Sequence, residues 1–171
     1  GDLGIDAFYN VTPALRANVS ANTDFAETEV DQRRVNLTRF PLFFEEKRDF
    51  FLEGSGFFDF SREPDEAVVP FFSRRIGRDD RGTPQRVDVG AKLTGQAGAF
   101  DVGVLQVRTG ESDSLAGEDF SVLRLRRRTF RQSYIGGLYT RRSARVPGAA
   151  DSHTAGIDLE LATSSFRGSQ N

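Results

Sequence analysis

Val87-Asp88-Val89-Gly90-Ala91-Lys92-Leu93-Thr94 alternates between larger apolar residues and polar or small ones. On an extended chain, successive side chains point to opposite sides. Val87, Val89, Ala91 and Leu93 therefore share one face, and Asp88, Gly90, Lys92 and Thr94 share the other. The same period of two recurs on either side of it. Leu15, Ala17, Val19 and Ala21 alternate with Arg16, Asn18, Ser20 and Asn22. Ala155, Ile157, Leu159 and Leu161 alternate with Gly156, Asp158 and Glu160. Residues 4–9, 100–107, 120–128 and 133–141 read as further strands. In 120–128, Leu123 and Leu125 oppose Arg124, Arg126 and Arg128. Phe120 and Val122 fall on the arginine face, which predicts a bulge or a strand-end aromatic.

The connections carry the next signal. Short turns at 95–98 and 129–132 alternate with longer polar connections at 108–119 and 142–153. Short turns at one end and long loops at the other mark an up-and-down meander of the outer-membrane type. Strands of about 9–11 residues suit a tilted membrane crossing. The expected fold is all-β: an antiparallel up-and-down meander, a fragment of a transmembrane β-barrel, with one short helix near 42–53. Residues 1–171 divide into a first hairpin at 1–22, a Phe-rich plug-like insertion at 23–85 and a β-meander at 86–163. Both ends read as cuts, so the chain is expected to be a piece of a longer protein.

Composition agrees with strands. There are 17 glycines and 16 phenylalanines but no Trp, Met or Cys, a balance that disfavours helix bundles. Absence of Cys excludes disulfides and thiolate metal sites. A formal net charge of −2 provides no global field for nucleic acid. No apolar run is long enough for a membrane helix.

The insertion has its own pattern. Phenylalanine pairs stand at 43/44, 50/51 and 57/58, seven residues apart. On a helix, i and i+7 share a face, so a helix over 42–53 would be opened by Pro41 and ended by Gly54. Glu45, Glu46, Arg48 and Asp49 would then face away from the first two pairs. Two readings stand open. The aromatics pack against an inner wall, or Phe43, Phe44, Glu45, Glu46, Arg48, Asp49, Phe50 and Phe51 form a plug or constriction.

Three stretches together resemble one known family: 22–26 (Asn-Thr-Asp-Phe-Ala), 35–54 with its Phe-Pro-Leu-Phe-Phe core, and 71–77 (Phe-Phe-Ser-Arg-Arg-Ile-Gly). Ala91-Lys92-Leu93-Thr94-Gly95 also fits. The family comprises large Gram-negative envelope proteins. They join an N-terminal family-9-type carbohydrate-binding module to a C-terminal domain of unknown function, expected to be an outer-membrane β-barrel. The resemblance runs over nearly the whole chain. It implies an outer-membrane location and a link to carbohydrate binding or uptake. Glu45 departs from the family pattern, which has Pro there, and should loosen the start of the helix. Some members are labelled hydrolases, but no catalytic residue here carries that label over.

Glu45, Glu46, Asp49, Glu53 and Asp59 could supply the paired carboxylates of a glycosidase. Arg39, Lys47 and Arg48 stand close by and would more simply pair with them. His153 is the single histidine, read as lying in a polar loop, and no Gly-x-Ser-x-Gly elbow is present. One His and no Cys leave no histidine-based metal site, so no metal, cofactor or catalytic residue is expected. At period two, Arg124, Arg126 and Arg128 share a face, as in a barrel lining a wet lumen rather than in a nucleic-acid patch. The expected lumen-lining residues are Asp88, Lys92, Arg124, Arg126, Arg128, Asp158 and Glu160. Turned to lipid at the bilayer midplane, an Arg or Lys would cost about 2–4 kcal/mol. The expected partners are the lipid bilayer, lipopolysaccharide and carbohydrate, with no nucleic acid. The reading is a pore or anchor in the bacterial outer membrane. A soluble β-sandwich or lipocalin-like binding module and a glycoside-hydrolase-type enzyme are the alternatives.

Overall fold

A computed structural model describes residues 4–23, 46–60, 69–78, 85–111 and 115–162. Seven strands form one antiparallel sheet in sequence order. They are β1 (Ile5–Thr12), β2 (Leu15–Thr23), β3 (Val87–Ala97), β4 (Phe100–Thr109), β5 (Glu118–Thr129), β6 (Ser133–Ala144) and β7 (Ser152–Glu160). The fold is the expected all-β up-and-down meander, and the sheet is open. One short helix, α1 (Asp49–Leu52), and two single 3-10 turns, Ser55–Phe57 and Ser73–Arg75, lie in the long connection between β2 and β3.

Register explains why alternation in the sequence becomes two different faces. Tyr9, Ala17, Leu93, Val104, Leu123, Tyr139 and Ala155 are successive cross-strand partners in one row. The adjacent row runs Phe8, Asn18, Lys92, Leu105, Val122, Thr140 and Thr154 on the opposite face. The first face is open. The second is covered by the connection between β2 and β3, and a core forms there. Phe50, Phe51, Phe58 and Ile76 of that connection pack with Val87, Leu105, Val107, Phe120 and Val122 of the sheet. Burying a phenylalanine side chain contributes roughly 2–3 kcal/mol, so this insert is a main source of cohesion.

Three local expectations change. The ladder between β4 and β5 runs without a shift from Phe100–Arg127 to Arg108–Asp119, so there is no bulge at Phe120. Phe120 and Val122 share the arginine face because the insert gives that face an apolar core. The irregularity lies instead in β3, where Val87 pairs with Thr109 and Val89 with Arg108. Asp88 is the extra residue of this bulge. The turn expected at 95–98 tightens to Gly98 and Ala99, since Gly95 and Gln96 remain in the ladder opposite Val102 and Asp101. Gly98 takes the left-handed backbone (φ 60°) that such a turn needs.

Candidate functional site

The covered face and its insert bring together most of the chemistry. Glu46, Lys47 and Arg48 precede α1 in non-helical conformation. Their backbone goes elsewhere because the Glu46 carboxylate accepts the amides of Lys47 and Arg48, each at 3.1 Å. A side chain that bonds its own nearby backbone competes with helix formation. The helix expected over 42–53 is therefore one turn, Asp49–Leu52, where the described residues begin at 46. Phe43, Phe44 and Glu45 lie outside the described residues. Gly54 does end the helical turn, in the left-handed region at φ 69°.

The charges of the insert do not simply face away from its phenylalanines. Arg48 is 5% exposed, and its guanidinium lies 4.1 Å over the Phe51 ring. It donates to Glu46 twice at 2.8 Å, to the Ile76 carbonyl at 2.6 Å and to the Ser73 carbonyl at 2.8 Å. Ser73 adds a 2.7 Å hydrogen bond to Glu46. Arg48 thus joins the two described parts of the insert. Burial alone would raise the Glu46 carboxyl, but the hydrogen bonds and charge of Arg48, with the Ser73 hydroxyl, hold it down at about 2. A carboxyl held ionised in this way is a structural counter-ion and a poor general acid. Glu53 is likewise engaged, by Arg16 at 2.5 Å and Asn18 at 3.1 Å. Glu46 and Glu53 are thus each held against an arginine as counter-ions.

The sheet grips the insert through buried cations and strand glycines. Lys92 on β3, 4% exposed, donates to the carbonyls of Phe50 and Glu53. These carbonyls close α1, where a helix end leaves acceptors unmet. Arg124 on β5 is fully buried; it donates to the Asp59 carbonyl at 3.0 Å and to both oxygens of Asp158 on β7 at 2.6 Å. Arg126 donates to the Gly56 carbonyl at 3.1 Å. The Phe50 ring sits directly on β3 at Gly90, where a Cβ would meet it at 2.8 Å. Phe60 sits in the same way on Gly156 of β7.

Lys92 and Arg124 are thus buried beneath the insert. Arg126, Arg128 and Glu160 line a cavity of about 1000 Å³ beside it, towards the short turns. Its wall also carries Phe58, Phe71 and Tyr134. Asp101, which the sequence reading did not single out, lies between Arg126 at 3.9 Å and Arg128 at 3.5 Å. Asp101 Oδ1 and Arg126 Nε have no hydrogen-bond partner among the described residues. Both atoms are buried, so the pair belongs to the wall itself and not to the space beside it. Only pairing across β4 and β5, where Asp101 stands opposite Arg126, reveals it. Asp88 is elsewhere: its bulge sets it at the long-loop rim, bonded to Arg86 at 2.9 Å and 4.0 Å from Arg145.

His153 is not in a loop. It is the second residue of β7, on the open face, stacks on Tyr139 and shares a 2.8 Å hydrogen bond with the Tyr139 hydroxyl. Among the described residues no group of three metal-ligating side chains converges.

A family described as a domain of unknown function (DUF5916) matches residues 2–100. The match spans β1, β2, the insert and β3, a shorter reach than the near-complete resemblance read from the sequence. No curated protein and no solved structure matches the chain.

Proposed function

The chain belongs to the DUF5916 family, a domain of unknown function. We propose that it is part of an outer-membrane β-barrel that serves as a pore or anchor. In this reading the open face meets lipid and the Phe-rich insert folds inward as a constriction. One observation carries the proposal: the polarity of the sheet is inverted. Ile157 is 81% exposed, Leu159 61% and Leu123 48%, while Lys92 and Arg124 are buried on the other face. Water-soluble proteins rarely expose a contiguous apolar face of this kind. A barrel in lipid requires it, because hydrocarbon touches only the outside.

Connection lengths support the same orientation. The short turns lie at one end of the meander, and the insert leaves and re-enters at the other, the end of the long loops. In membrane barrels long loops are extracellular and short turns periplasmic. The insert is then an extracellular connection folded into the barrel. The aromatic and charged cavity beside it, and the resemblance to envelope proteins that carry a sugar-binding module, favour carbohydrate as the solute handled. Outer-membrane fractionation of the full-length protein, with conductance in planar bilayers, tests the reading. Recovery in outer membranes with discrete conductance steps is expected for a pore, and recovery without conductance for an anchor. Recovery as a soluble monomer without detergent contradicts both.

A further inference from the structure

Arg127 differs from the other outward-facing arginines of the described sheet. Arg108 pairs with Asp119 at 2.8 Å and Arg141 with Asp151 at 2.7 Å, both near the long loops. Arg127 lies near the short turns, exposed, with no ion pair among the described residues. Its cross-strand neighbours are Phe100 on β4 and Ile135 on β6, and Ile135 in turn faces Leu159 on β7. An exposed guanidinium is thus set in a row of apolar side chains at the foot of the open face.

We propose that Arg127 takes the phosphate of a phospholipid in the leaflet at the short-turn end, and so fixes the depth at which the barrel sits. The inference rests on the barrel reading above. An arginine stem lies along apolar surface while its head reaches the polar layer. The planar fork of guanidinium N–H donors matches phosphate oxygens in pairs. Acyl chains of the same lipid would cover Phe100, Ile135 and Leu159, which a free phosphate could not do. The paired arginines at the far rim are already satisfied by Asp119 and Asp151, so the asymmetry selects one end.

The test uses the full-length protein in phosphatidylcholine vesicles that contain lipids brominated at successive acyl depths. A tryptophan is introduced at Phe100 (F100W) or, separately, at Leu123 (L123W), and its fluorescence is read as the difference from the parent. With Arg127 intact, the tryptophan at 100 should be quenched most by the shallowest bromines. Arg127→Leu should move that maximum to deeper bromines, and Arg127→Lys should leave it shallow. An unchanged maximum in Arg127→Leu, with the tryptophan at 123 still quenched, overturns the phosphate contact and leaves the barrel standing. Absence of quenching at both positions removes the barrel reading as well.

Discussion

Arg124 on β5 and Asp158 on β7 meet across the intervening strand β6, in two hydrogen bonds of 2.6 Å, over the bare backbone of Gly136. A Cβ at Gly136 would stand 2.6 Å from Asp158 Oδ1 and 2.7 Å from Arg124 Nη1. The glycine is thus the gap through which two non-adjacent strands are tied. Asp158→Ala should strand a fully buried guanidinium and cost about 3–5 kcal/mol. The paired replacement Arg124→Met with Asp158→Leu should recover much of that loss. Urea unfolding of the full-length protein in detergent micelles measures both.

Lys92 should matter in a different way, through backbone carbonyls. Lys92→Met leaves the carbonyls of Phe50 and Glu53 buried without their donor, at about 1–3 kcal/mol. Because the loss falls on the insert, limited proteolysis should cut near 46–60 sooner, while the meander stays protected. Equal resistance in the variant and the parent would contradict the gripping role.

Acid should act through Glu46. Its folded value of about 2 lies below the ordinary 4.5, so the carboxylate stabilises the fold fully above about pH 4.5. That contribution, on the order of 2–3 kcal/mol, fades as pH falls towards 2. Glu46→Gln should lower stability at pH 7 and flatten this part of the profile. Unfolding midpoints collected from pH 7 to pH 2.5 check the sign.

Gly90 should tolerate no side chain. A Cβ there meets the Phe50 ring at 2.8 Å, so Gly90→Ala must lift the ring off β3 at about 1–3 kcal/mol. Gly90→Ala combined with Phe50→Leu should lose less than the sum of the two single changes, which a double-mutant cycle reads directly.

The strands were legible because period two survives in the chain without knowledge of the partner strand: residues 89–94 fix both faces of β3, while the bulge at Asp88 turns Val87 from the expected open face into the core. The helical turn was legible from the phenylalanine pair at 50/51, and its stop from Gly54. The length of α1 was not, because spacing of seven cannot show that Glu46 takes two backbone amides first. The place of Asp88 at the long-loop rim was hidden because a bulge is set by the partner strand, here Thr109 and Arg108. Phe120 and Val122 became core residues only through contact with Phe50, Phe51 and Phe58, far away in sequence. Asp101 was invisible for the same reason.

Leu123 offers the most direct test. It stands on the open face between Val104 and Tyr139, 48% exposed. If that face meets hydrocarbon, Leu123→Arg should lower the stability of the full-length protein in lipid vesicles by about 2–4 kcal/mol. A change within about 0.5 kcal/mol, as at an ordinary water-facing position, would contradict the account.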